Sequence, residues 1–138
     1  MALNEELLKR LVETPGVPGR EERQREIARE ELEALTDEVR TDPLGSVVGT
    51  KRGSDDTRVM IAAHLDEIGF LVKYINDDGF LRLQTLGGHD PANMVSQRVL
   101  VTTAHGESLR GALQPARKPP HVAGDEEKKP PKASDFFV

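Results

Sequence analysis

His64, Leu65, Asp66 and Glu67 stand directly after Val59-Met60-Ile61-Ala62-Ala63, a continuous apolar run. In extended backbone, residues i and i+2 face the same side. His64 can therefore offer one ring nitrogen to a metal ion while Asp66 accepts a hydrogen bond from the other. Such a partner fixes the histidine tautomer and raises its basicity as a ligand. The place suits this chemistry, because open α/β sheets bind ligands beyond the carboxyl ends of their strands. The motif is short, however, and an ordinary polar pair explains the two residues equally well. The other histidines offer less. His89 and His105 fall in turn contexts and His121 in a Pro-rich stretch, so each reads as solvated and unligated. Glu67 reads as a surface or core carboxylate.

Several other chemistries have no residues to carry them. With no Cys among 138 residues, disulfides, thiolate metal sites and cysteine nucleophiles are excluded. Neither G-x-x-x-x-G-K-[ST], G-x-G-x-x-G nor G-x-S-x-G occurs. The net charge of −5 argues against a general nucleic-acid binder, whose phosphate contacts need clustered Lys and Arg. No apolar run approaches the ~18–20 residues that span a membrane. The opening Met1-Ala2-Leu3-Asn4-Glu5-Glu6 lacks the basic-then-apolar order of a signal peptide. The expectation is a soluble, cytoplasmic protein with no nucleic-acid or membrane partner.

The elements that must position His64 follow from periodicity. Leu3, Leu7, Leu8, Leu11 and Val12 share one side of a helix that Asn4 can cap. Thr14 to Gly19, with two Pro and two Gly, ends it. A second helix places Ile27, Ala28, Leu32 and Leu35 inward behind a charged outer face. Asp42-Pro43-Leu44-Gly45 predicts a turn, Val47-Val48 a short strand, and Val59 to Ala63 a strand buried on both faces. Two hairpins follow: Ile68–Ile75 with Phe80–Leu86 about Asn76-Asp77-Asp78-Gly79, and Gln97–Thr103 with Ser108–Leu113 about Ala104 to Glu107. These strands suggest a small barrel or sandwich. Gly87-Gly88 reads as a strand-end turn, residues 115–132 as a Pro-rich loop, and Phe136-Phe137-Val138 as the start of another strand. The fold class is α/β, divided at residue 67. About a quarter of the chain is Leu, Ile, Val or Phe, enough for a modest core.

Ala62-Ala63-His64-Leu65-Asp66-Glu67-Ile68-Gly69-Phe70 resembles the first metal-binding segment of the M42 metallo-aminopeptidases. These are glutamyl and leucyl aminopeptidases that form tetrahedral assemblies, and many carry an endoglucanase label. Thr14 to Glu21 is similar to the family's loop after the first helix, and Asp42 to Gly45 to its D-x-x-G turn. Asn76 to Phe80, Leu86 to Pro91, Gln97 to Val99 and Lys118 to His121 follow in the family's order, so the resemblance covers essentially the whole chain. There are departures. Ser46 stands where Asn is usual, His89 where a bulky apolar residue is common, and Gln114 to Arg117 resembles a small insertion.

The resemblance implies the N-terminal part of an α/β/α metallopeptidase domain over residues 1–67. It implies an incomplete, β-rich, PDZ-like inserted dimerisation domain over 68–138. It further implies two divalent metal ions, zinc or cobalt, with His64 as a metal ligand and Asp66 as the catalytic residue that orients it. Peptides would be the substrates, and self-association would run through the β-rich part. The family's bridging Asp, adjacent Glu pair, next Asp and final His have no counterpart in these residues. The expectation is an N-terminal fragment, inactive alone, that removes N-terminal residues in its complete form. The alternative is a non-catalytic remnant or oligomerisation module. Glycoside hydrolysis needs two flanking carboxylates, and no spacing here marks such a pair. A sheet without its partner strands would also leave Val59 to Ala63 uncovered.

Overall fold

Asn4 starts the chain's first helix as its side chain suggests, its Oδ1 accepting from the Leu7 amide at 3.1 Å. The computed structural model describes residues 3–118, 122 and 130–138. The chain forms two compact units, residues 1–67 and 68–138, with a mixed α/β content.

In the first unit, α1 (Glu5–Glu13) carries Glu5 and Glu6 in its first turn and Arg10 in its last, the arrangement that suits the helix dipole. Arg10 reaches across to α2 (Glu22–Glu33), meeting Glu30 at 2.7 Å and Glu31 at 3.4 Å. Ile27, Ala28 and Leu32 are half-buried, while Leu35, beyond the last helical turn, is 63% exposed. The inward position that is fully buried belongs instead to Gln24. An antiparallel hairpin follows, β1 (Glu38–Thr41) with β2 (Val47–Thr50), in which Thr41 faces Val47. Asp42 builds its turn. One carboxylate oxygen accepts from the Leu44 and Ser46 amides at 2.9 Å each, and Gly45 supplies the positive φ of 94°.

The expected buried strand at Val59 to Ala63 is absent. Residues 51–68 contain no strand, and Val59, Met60 and Ile61 are 84–94% exposed. A strand is defined by its neighbours, and a buried one needs both edges paired and both faces covered. The first unit's sheet has two strands, β1 and β2, already paired with each other. Nothing among its described residues pairs with the apolar run.

The second unit is built from hairpins, as turn chemistry predicts. β3 (Gly69–Ile75) pairs with β4 (Leu81–Leu86), with a bulge between Val72 and Tyr74. Asn76 Oδ1 accepts from the Phe80 amide at 2.7 Å, and Gly79 takes φ 84°. Asp90 caps a short helix, α3 (Pro91–Met94), that the hairpin pattern does not reveal. β5 (Arg98–Thr102) and β6 (Ser108–Ala112) form the other hairpin, with His105 exposed in its turn. β7 (Gln114–Pro115) and β8 (Phe136–Phe137) complete a four-stranded sheet ordered β3-β4-β8-β7. Pro115 is thus a strand residue rather than the start of a loop. His121 and most of the Pro-rich stretch lie outside the described residues. Phe136, Leu113 and Met94 form the buried core, with Phe70, Leu83, Val99, Ala133 and Val138 packed around it. The terminal Phe-Phe-Val is a strand, and it supplies the core's largest side chain.

Candidate functional site

Backbone chemistry fixes where His64 and Asp66 sit. The Glu67 amide donates to the carbonyl of Gly16 at 2.9 Å, tying the segment to the loop between α1 and α2. Within that segment, His64 Nδ1 lies 3.0 Å from the backbone oxygen of Asp66 and 3.4 Å from its carboxylate. Both are acceptors, so the Nδ1 proton is the one they favour, and Nε2 keeps its lone pair. The imidazole is 84% exposed and Asp66 is 39% exposed. The structure brings the two residues together, but not beyond the end of a strand, since residues 51–68 contain none. The contact is made by the main chain of Asp66 as well as its side chain.

A cleft of about 390 Å³ adjoins the pair, bounded by α2, the β1–β2 turn and residues 63–66. Arg25 of α2 lies over Gly45, so that a Cβ there would push its guanidinium aside. It also lies 3.8 Å from Glu21. The residues that sequence reasoning missed are Arg25, on the wall of this cleft, and behind it the buried Gln24 and the Gly16 carbonyl that receives Glu67. Arg25 and Gln24 sit on a helix whose charges look like a plain solvated face. The one available signal was a polar residue, Gln24, at an inward position.

Among the described residues, no three His, Asp or Glu side chains gather as a metal-binding group. Zinc sites use three or four protein ligands. The residues present thus fit one ligand and its orienting carboxylate, and do not by themselves make a metal centre.

His89, read from sequence as solvated, is corrected by the structure. It is half-buried, with Nε2 at 3.0 Å from the Gly69 oxygen and 3.1 Å from the Leu86 oxygen. Its ring stacks on Phe70, with centroids 4.5 Å apart. It closes the end of the β3–β4 hairpin, and its Nε2 is committed to carbonyls rather than to a ligand.

The M42 glutamyl aminopeptidase family model matches residues 45–138. The chain belongs to the M42 family. It is 38% identical over 120 residues to lysyl aminopeptidase of Pyrococcus furiosus, covering 85% of this chain and 33% of that protein. The TET aminopeptidase from the marine sediment archaeon Thaumarchaeota archaeon SCGC AB-539-E09 superposes with a TM-score of 0.87 at 40% identity. That match covers 96% of this chain and 37% of the other. The Pyrococcus horikoshii TET1 peptidase, described as assembling into a tetrahedron or a large octahedral shell, gives a TM-score of 0.81 at 32% identity, over 96% and 39% of the two chains. A Thermotoga maritima structure named endoglucanase gives 0.75 at 29% identity, over 94% and 36%. The chain spans about a third of the length of these relatives. Among its described residues, no helix is long and apolar enough to cross a membrane.

Proposed function

We propose that residues 1–138 belong to a metal-dependent aminopeptidase in which His64 ligates one divalent ion, zinc or cobalt, through Nε2. The observation that carries this is the paired geometry at Nδ1, which leaves Nε2 as the open donor within a segment of an M42 chain. Asp66 is the orienting residue: its two acceptors hold the ring and favour the required tautomer. When bound, two such ions act as Lewis acids toward a peptide carbonyl and lower the pKa of water. His64 contributes one ligand to that centre, and the remaining ligands are not among the described residues. Peptides with a free α-amine are the proposed substrates.

Residues 1–67 are assigned to the peptidase domain and 68–138 to the inserted dimerisation domain. The division of the chain at residue 67 supports this. Self-association through the β-rich unit is in keeping with the assemblies described for TET relatives. A second reading is a non-catalytic interaction module, favoured by the lack of a three-donor group among the described residues. The native gene product separates the two. Release of N-terminal residues from peptides, abolished by chelator and by N-acetylation of the substrate, supports the enzyme. No release with zinc or cobalt supplied leaves the module.

A further inference from the structure

Gln24 is the fully buried polar residue of the first unit, 4% exposed on the third position of α2. Its Nε2 donates to the Thr14 oxygen at 3.1 Å and more weakly to the Leu11 oxygen at 3.4 Å. Carbonyls at the end of a helix have no partner within it, so Gln24 caps α1 from the neighbouring helix. Its Oε1 has no partner and is enclosed. An unsatisfied buried acceptor is a cost to stability, and an apolar side chain of the same size would avoid it. Gly16 seats against this amide so closely that a Cβ there would overlap it. The carbonyl of that same Gly16 receives the amide of Glu67, next to Asp66.

Resting on the metal-ligand reading of His64, we propose that Gln24 is a positioning residue for the His64–Asp66 segment. The chain of contact runs from α2 through the Gln24 amide to the Thr14–Gly16 loop, and from the Gly16 carbonyl to Glu67. A backbone bond positions its donor only as firmly as its acceptor is held. The Thr14–Gly16 loop is held by Gln24 on two counts, by the hydrogen bond at Thr14 and by the steric seat at Gly16. Gln24 thus sets the ring of His64 without touching it.

The test is amide hydrogen exchange in the 15N-labelled chain, comparing Gln24→Met and Gln24→Ala with the parent. Gln24→Met keeps bulk and removes the donor, so it guards against a variant that fails to fold. Exchange at Glu67 is expected to quicken at least tenfold in both. The Asp42 amide, bonded to the Ser46 oxygen at 3.0 Å in the same unit, should be unchanged. Unchanged exchange at Glu67 overturns the proposal, and so does an equal rise at Glu67 and Asp42, which marks a merely structural role. In the native gene product, Gln24→Met should weaken zinc retention about tenfold, the lower end for a change outside the ligands. If Glu67 loosens but His64→Ala retains full metal content, the metal reading fails while the positioning by Gln24 stands.

Discussion

Replacing Phe136 by Ala tests how the second unit is held together. Phe136 is completely buried and shares its core with Leu113 and Met94, the other two fully buried apolar residues described. It lies in β8, which sits between β4 and β7, so its loss opens the middle of the sheet as well as the core. Truncating a buried Phe costs about 3–5 kcal/mol. A unit of about 70 residues has only ~4–11 kcal/mol of stability at typical values per residue. The substitution should therefore remove at least a quarter of the unit's stability and in the limit all of it. At ~4–8 °C per kcal/mol for this size, the melting temperature should fall by about 12 °C or more. Tyr74, in β3, is the single Tyr, and there is no Trp, so intrinsic fluorescence reports this unit. A fall under ~5 °C would show that β8 is not part of the working core.

Three further outcomes follow from particular contacts. His89→Ala removes a donor to the Gly69 and Leu86 carbonyls and a ring stacked on Phe70. It should cost about 1–3 kcal/mol, read in the same fluorescence melt. The Ser46 amide, with help from Leu44, holds the Asp42 carboxyl below its ordinary value of 3.8. A carboxyl lowered by folding adds stability above its unfolded value and loses it as pH falls through the folded one. Protection of the Leu44 and Ser46 amides, relative to an unstructured peptide at the same pH, should therefore fall as the pH drops below about 3.8, and Asp42→Ala should abolish that dependence. Gly45→Ala should disturb the first unit, because a Cβ meets Arg25 and φ is 94°. A loss of about 1–3 kcal/mol in a urea titration is expected.

What was legible in the sequence is what local chemistry decides. Asn4, Asp42 and Asn76 each bond the backbone within four residues, so their turns and caps follow from residue type alone. The hairpins follow too, since Gly79 and Gly106 supply the positive φ their turns need. Asp90-Pro91 is an equally local signal, a cap and first-turn Pro, set inside a pattern that otherwise reads as β. The apolar run at Val59 misled because a strand depends on partners that its own residues do not encode. His89 misled for a related reason, and the burial of Gln24 is hidden in the same way. Each is a polar residue whose burial is set by carbonyls brought from elsewhere, Gly69 for one and Leu11 with Thr14 for the other. The contact between His64 and Asp66 was legible because two residues apart is close enough for one local conformation to join them.

The central claim, that His64 holds a catalytic metal, is tested most directly by His64→Ala in the native gene product. Metal content and aminopeptidase turnover should be measured on the same preparation. The account predicts that bound zinc or cobalt falls and that turnover drops at least a hundredfold, with folding of the β-rich unit unchanged. Full metal content and undiminished, chelator-sensitive turnover in that variant would contradict it.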